Sequence, residues 1–137
     1  MSKSPVVYKS VHRIKFSDLD PYNHMRTAVY SAYYVDHRMN SLREHAGWNL
    51  ETLEKLPFMV WVRRMELDFL RPAVGDQEII ITSFVREFLG SDAHIECSMV
   101  DRDGKNLSRC LMIAACVDKR TNRAVDWPAD MMALFFE

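Results

Sequence analysis

The segment 27–46 constrains the fold more than any other part of the sequence. It contains neither glycine nor proline, which favours one continuous helix, and Gly47 directly after it is a typical C-terminal stop. Apolar side chains crowd its first turns on most sides: Val29, Tyr30, Ala32, Tyr33, Tyr34 and Val35. Because such a helix is stable only when it is buried nearly all round, we expect the rest of the chain to wrap around it.

Runs of strand length flank this helix in the sequence. One precedes it and four follow it, at residues 6–16, 58–71, 77–88, 91–100 and 107–118. The run 91–100 alternates apolar and polar side chains, which predicts one packed and one solvated face, whereas 107–118 is apolar on both faces and is expected to lie centrally. A short helix is predicted at 127–136. The order predicts one α+β domain, residues 1–137, in which a five-stranded antiparallel sheet wraps around one long central helix.

Charge and composition exclude several classes of function. Eighteen basic and nineteen acidic side chains give a net charge of −1, so no global field attracts nucleic acid or an anionic membrane. No stretch resembles a signal peptide or a membrane span, and we expect a cytoplasmic protein. The three cysteines form no Cys-x-x-Cys pair and are expected to be reduced. No metal-ligand spacing and no Gly-x-Ser-x-Gly motif is present, so neither metal nor serine chemistry is indicated.

A pair of carboxylates lies just before the central helix. The segment Phe16-Ser-Asp-Leu-Asp-Pro-Tyr-Asn-His-Met-Arg-Thr-Ala-Val-Tyr30 places Asp18 and Asp20 two residues apart. On an extended backbone both would point to the same side, about 6 to 7 Å apart, so spacing does not choose between them. Pro21 holds Asp20 away from helical conformation and removes one backbone donor, which favours a fixed carboxylate at this position.

This segment resembles hotdog-fold thioesterases of the 4-hydroxybenzoyl-CoA thioesterase type. Members show a strand that runs into Asp-x-Asp, a Gly-His-Val-like turn and an aromatic residue early in the central helix. The matching residues here are Asp18, Asp20, His24, Met25 and Tyr30. The stretch 64–76 is similar to a later strand and turn of the family, so the resemblance covers nearly the whole chain. Asn23 stands where glycine is common, and Arg26-Thr27 replaces a frequent Asn-Asn pair.

The resemblance implies an acyl-CoA thioesterase in which Asp20 either attacks the thioester carbonyl or activates water. It also implies that the backbone amide of Thr27 donates to the thioester oxygen, at a helix start where unpaired amides favour negative charge. His24 either polarises the carbonyl or braces the turn through its backbone. The non-catalytic interpretations are that Asp20 is an Asx-turn residue before proline and that Asp18 bonds to backbone or to Arg26.

Substrate binding is predicted for a helix stripe and for basic side chains. Tyr30 and Tyr34 lie four residues apart on the helix and either line an acyl tunnel or pack on the sheet. Coenzyme A carries phosphates and the chain has no glycine-rich phosphate loop, so basic side chains must meet them. The candidates are Arg63, Arg64, Arg71 and Arg86, and the alternative is that each is a solvated charge at the sheet edge. No cofactor is expected, since coenzyme A is part of the substrate.

Other functions stay open on the sequence alone. A non-catalytic acyl-thioester-binding protein would have no need of a poised carboxylate, and a thioesterase for acyl-carrier protein would show a basic surface at the tunnel mouth. The resemblance implies a homodimer or homotetramer that builds its sites between subunits. Neither the acyl group nor the choice between nucleophile and general base for Asp20 follows from the sequence.

Overall fold

The central helix and its strands occur in the predicted order. In the computed structural model, which describes residues 3–137, the long helix α1 spans Tyr30–Ala46 and is preceded by a 3-10 turn at Thr27–Val29. The five strands are β1 (Tyr8–Arg13), β2 (Phe58–Phe69), β3 (Glu78–Leu89), β4 (Asp92–Asp101) and β5 (Asn106–Asp118). Two short helices complete the chain, α2 (Leu50–Lys55) before β2 and α3 (Ala129–Met132) after β5.

All five strands form one antiparallel sheet in the order β1-β3-β4-β5-β2. β5 lies between β4 and β2, as its two apolar faces predicted. The predicted alternation along β4 is also confirmed, because one face is buried at Ala93, Ile95, Cys97 and Met99. These side chains join the tyrosines of α1 in one core. The predicted α+β architecture, a sheet around one long helix, is therefore confirmed.

Local backbone chemistry sets the two ends of α1. Gly47 adopts a left-handed φ of 69° and its amide donates to the carbonyl of Leu42, so the predicted stop is confirmed. At the other end, Arg26 is extended before the 3-10 turn. The buried side of α1 includes polar residues as well as tyrosines: Tyr30, Tyr33, Tyr34, His37, Arg38 and Ser41.

Two element boundaries differ from the predictions. β1 ends at Arg13, and a 3-10 turn at Phe16–Asp18 follows instead of further strand. At the C-terminus, Pro128 is extended, so α3 begins at Ala129 and gives way to a second 3-10 turn at Ala133–Phe135. No helix within residues 3–137 combines the length and the apolar character needed to cross a membrane.

Candidate active site

Asp20 opens a tight turn that leads into α1. Its backbone amide donates to the carbonyl of His24 (2.8 Å), and the Asn23 amide donates to the carbonyl of Asp20 (3.1 Å). Asn23 has a left-handed φ of 63°, which asparagine tolerates better than most residues other than glycine. Asn23 therefore meets the backbone requirement that glycine meets in similar sequences.

One oxygen of the Asp20 carboxylate is held by this turn. Oδ1 accepts hydrogen bonds from the amides of Tyr22 (2.8 Å) and His24 (3.0 Å), which is an Asx-type arrangement. Within residues 3–137, Oδ2 takes part in no hydrogen bond. The turn thus fixes the orientation of the half-buried carboxylate and leaves one oxygen available to a ligand. An Asx turn and a chemical role are compatible at this residue.

Asp18 is directed to a different partner. Its Oδ2 accepts a hydrogen bond from the Tyr33 hydroxyl (2.7 Å), which in turn accepts one from the Lys15 amide (3.1 Å). The expectation that Asp18 and Asp20 share one side of an extended segment is wrong, because Phe16–Asp18 forms a 3-10 turn. The side chain of Asp18 also does not bond Arg26, whose backbone amide instead donates to the Asp18 carbonyl (2.9 Å).

The amide of Thr27 is free at the start of the helical segment. Arg26 is extended and Val29 donates to its carbonyl (3.0 Å), which begins the 3-10 turn ahead of α1. Among the hydrogen bonds of the described residues, none is donated by the Thr27 amide. Unpaired amides and the helix macrodipole make this position attractive to negative charge.

His24 braces the turn through its backbone. Its amide and carbonyl both pair with Asp20, and it forms an isolated β-bridge with Val74. Its side chain is exposed. The backbone bracing that the sequence offered as one interpretation is therefore present.

A surface cleft of about 470 Å³ brings most of the predicted site residues together. Its lining includes Asp20, His24, Thr27, Tyr30 and Arg71. Tyr30 is buried, its hydroxyl accepts a hydrogen bond from the Ala73 amide (3.2 Å), and its ring meets that of Phe69 edge-on at 5.0 Å. Tyr30 therefore ties the wall of the cleft to α1. We call this site the Asp20 cleft.

Comparison with known families assigns most of the chain to one of them. A family model described as a thioesterase-like superfamily matches residues 14–135, which is most of the chain and includes the whole Asp20 cleft. The chain belongs to this thioesterase-like superfamily. No curated protein matches it significantly by sequence.

Solved structures similar to this superfamily member have the hotdog fold. A Staphylococcus aureus protein in complex with CoA aligns with a TM-score of 0.85 and 16% identity, over 98% of this chain and 84% of its own. A probable thioesterase from Escherichia coli aligns with a TM-score of 0.83 and 18% identity, over 93% of this chain and 95% of its own. A Thermus thermophilus thioesterase complexed with coenzyme A and Zn aligns with a TM-score of 0.77 and 22% identity, over 93% of this chain and 90% of its own. The hotdog fold predicted from the sequence is confirmed.

Three predicted binding residues of this thioesterase-like chain lie outside the Asp20 cleft. Tyr34 is fully buried in the core, and burial raises the pKa of its hydroxyl well above the usual range. Arg63 bonds both carboxylate oxygens of Asp92, and Arg64 pairs with Glu66 on the exposed side of β2. These two guanidinium groups therefore already have carboxylate partners.

Sequence reasoning did not identify a partly buried chain of polar side chains that joins α1 to β1 and β3. His12 contacts Ser10 Oγ (2.6 Å), which contacts His37 (2.5 Å). His37 contacts Ser83 Oγ (2.7 Å), which accepts from Arg38 (3.0 Å). Burial, with Arg38 nearby, lowers the pKa of His37 to about 4, so it is neutral at pH 7. Helical spacing places His37 on the same buried stripe as Tyr30 and Tyr34, but its partners Ser10 and Ser83 come from distant strands and cannot be read from that spacing.

Proposed function

We propose that this protein hydrolyses acyl-CoA thioesters at the Asp20 cleft. One observation carries the proposal: the Asp20 carboxylate, which is hydrogen-bonded through Oδ1 only, and the unpaired amide of Thr27 line the same cleft of a thioesterase-like chain. Asp20 supplies the group that attacks or activates water, and the Thr27 amide supplies the donor for the developing oxyanion. Acyl transfer to water needs both parts.

Asp20 can act by either of two mechanisms, as a nucleophile or as a general base. As nucleophile, Oδ2 attacks the carbonyl carbon, the thiolate of coenzyme A leaves, and water hydrolyses the resulting mixed anhydride. As general base, Oδ2 takes a proton from a water molecule that attacks the same carbon, and the departing thiolate receives a proton. The two amides on Oδ1 favour both routes, because they hold the carboxylate in orientation before substrate binds.

Thr27 and His24 complete the proposed reaction centre. The amide of Thr27 donates no hydrogen bond within the described residues and lies at the start of the 3-10 turn that leads into the N-terminus of α1. His24 lines the same cleft, and its imidazole is exposed while its backbone is fully engaged by the turn. Its proposed role is to maintain the turn that presents Asp20.

Arg71 is the proposed contact for the phosphates of coenzyme A. It lines the Asp20 cleft, it is exposed, and its backbone is anchored by a hydrogen bond to the Leu107 carbonyl (3.1 Å). No carboxylate within residues 3–137 lies in salt-bridge distance of its guanidinium. Arg63 and Arg64 would have to exchange Asp92 and Glu66 for phosphate, so Arg71 is favoured. Two of the similar solved structures hold coenzyme A, which supports an acyl-CoA substrate.

The proposed functional unit contains more than one copy of the chain. β2 lies at an edge of the sheet and exposes Met59, Trp61, Val62 and Phe69. A long apolar edge strand invites pairing with another strand. We propose a homodimer formed along β2, which would bring a second chain beside the Phe69 end of the Asp20 cleft; a homotetramer requires an additional surface.

The proposed activity is tested with a panel of acyl-CoA esters and detection of the free thiol released. Wild-type protein is expected to release coenzyme A from at least one ester, and Asp20→Asn is expected to lower turnover by at least about a hundredfold. Asparagine keeps the Oδ1 acceptor, so the Tyr22 and His24 amides stay bonded and the variant should fold and bind substrate normally.

The matched control is Asp18→Asn, which keeps the acceptor for the Tyr33 hydroxyl and is expected to retain most of the activity. Full activity in Asp20→Asn would exclude Asp20 from the chemistry. Binding of every ester without hydrolysis would instead favour a non-catalytic acyl-thioester-binding protein. In an oxygen-labelled water experiment with a single turnover, label in Asp20 would identify nucleophilic attack.

A further inference from the structure

A second cavity, which we call the inner cavity, lies between α1, α2 and the sheet. Its volume is about 200 Å³, and almost all of its wall is apolar, with Leu42, Trp48, Phe58, Ile95, Met112 and Trp127 among the lining residues. It opens beside Val35, Met59 and Val62, which are more than one-third exposed. Ligand pockets for whole small molecules are usually larger, so a cavity of this size fits one part of a ligand.

Arg38 is the one charged side chain among the described residues that line the inner cavity. It is only 5% exposed, and its guanidinium carbon lies 5.0 Å from the ring centre of Tyr8 and 5.9 Å from that of Phe135. Its side chain donates one hydrogen bond within residues 3–137, from Nη1 to Ser83 Oγ (3.0 Å). No other N–H of its five-donor fork has a hydrogen-bond acceptor among the described residues.

No negative charge in the described residues balances Arg38. Among residues 3–137 no carboxylate approaches it within salt-bridge distance. Ser83 is itself shared with His37, and burial keeps His37 neutral by lowering its pKa. Burial also lowers the pKa of Arg38, but an arginine remains protonated in proteins. A buried charge without a counter-ion is costly, and an anion in the cavity would remove that cost.

A second donor without an acceptor lies on the same wall. Trp127 lines the inner cavity, and its buried indole N–H has no hydrogen-bond partner in the described residues. Its ring packs edge-on against Phe135, which also contacts the Arg38 guanidinium. Two donors in an otherwise apolar wall indicate a ligand group that is acceptor-rich.

The inner cavity and the Asp20 cleft lie along the same pair of elements. Tyr30 on α1 and Phe69 on β2 line the cleft, while Arg38 and Val62 line the cavity. From Tyr30 to Arg38 the helix advances by about 12 Å. An acyl chain of medium length is long enough to span this distance.

We propose that the inner cavity holds the distal part of the acyl group and that Arg38 pairs there with a terminal carboxylate, so that the preferred substrates are thioesters of dicarboxylic acids. The thioester part rests on the proposed function, whereas the recognition of a carboxylate by Arg38 does not. The apolar wall accommodates the methylene chain, and the guanidinium selects its end.

The proposal is tested first with two non-hydrolysable thioethers of coenzyme A that differ only at the chain end. The ω-carboxynonyl thioether is expected to bind at least about ten-fold more tightly than the decyl thioether, since a buried charge gains a partner. Calorimetry measures both affinities. Arg38→Met is expected to reverse the preference, and Arg102→Met, changed at an exposed arginine paired with Glu78, is expected to keep it. Equal or tighter binding of the decyl compound to wild type would overturn the proposal.

A second measurement separates this proposal from the thioesterase assignment. Monomethyl sebacate carries one carboxylate and no coenzyme A, and its binding is read from the fluorescence of Trp48 and Trp127, which line the inner cavity. Binding to wild type and its loss in Arg38→Met would support the cavity assignment even if no acyl-CoA were hydrolysed. No binding, or unchanged binding in Arg38→Met, would overturn it. Arg38→Lys, which retains the charge, is expected to recover part of the affinity.

Discussion

The amide of Thr27, rather than its side chain, is the group that the proposed chemistry uses. Thr27→Pro removes that N–H, and it suits the local backbone because Arg26 is already extended (φ −62°, ψ 137°) and proline is tolerated at the first helical position. We expect turnover to fall roughly 10²- to 10³-fold with little change in substrate affinity. Steady-state kinetics on the preferred acyl-CoA measures both.

The control for this substitution is Thr27→Ala, which keeps the amide and is expected to retain most of the turnover. Thermal melts of both variants check that α1 still forms. If Thr27→Pro folds and turns over at the wild-type rate, the oxyanion is bound elsewhere in the cleft.

Asp18 and Asp20 show how much of the role of a single residue can be predicted from the sequence. Pro21 and the family resemblance favoured Asp20, whereas the spacing of the two carboxylates did not discriminate, because on an extended backbone both would point to the same side. The 3-10 turn at Phe16–Asp18 and the hydroxyl of Tyr33, fifteen residues away, determine where Asp18 points. A partner that is distant in sequence cannot be read from local spacing.

At the scale of elements, a buried polar chain joins α1 to two strands. His37 of α1 contacts Ser10 of β1 and Ser83 of β3, which lie 27 and 46 residues away in sequence. Periodicity predicted the helix, the strands and the central place of β5, since these depend on which faces are apolar. It did not predict this connection, because the partners that satisfy His37 and Arg38 come from other elements.

The burial of His37 predicts that stability depends on pH. Its pKa is lowered from 6.5 to about 4, so between these values the unfolded chain binds a proton that the folded chain does not. The free energy of unfolding should therefore fall as pH drops through this window, by up to about 3 kcal/mol, and should recover as pH rises above 6.5. Urea titrations across this range measure the slope.

His37→Gln is expected to be less stable at pH 7 but to lose part of this pH dependence. A remaining slope is expected from His12, whose pKa burial also lowers. The control is His45→Gln, at an exposed histidine of the same helix, which should keep the wild-type profile. An unchanged slope in His37→Gln would show that other groups cause the acid sensitivity.

At the scale of the whole molecule, one edge of the sheet is suited to association. β1 and β2 are the two edge strands, and β2 is the longer, with twelve residues against six. The register between β2 and β5 shifts between Val62 and Arg64, and exposed apolar side chains lie on both sides of this irregularity. Residues of β2 line both the Asp20 cleft and the mouth of the inner cavity, so a second chain paired along this edge would lie next to both sites.

Trp61 provides the test of this arrangement, because it is 62% exposed on the free edge. Light scattering on a sizing column is expected to give wild-type protein a mass of at least twice the 16.1 kDa chain. Trp61→Lys should shift it towards the single chain, because a lysine on an edge strand opposes pairing. Leu89→Lys, at a similarly exposed apolar position (55%) at the end of β3, should leave the mass unchanged. If Trp61→Lys dissociates the protein and lowers acyl-CoA hydrolysis, and Leu89→Lys does neither, each active site depends on the neighbouring chain. A wild-type protein that elutes as a single chain and is fully active would contradict the dimer along β2.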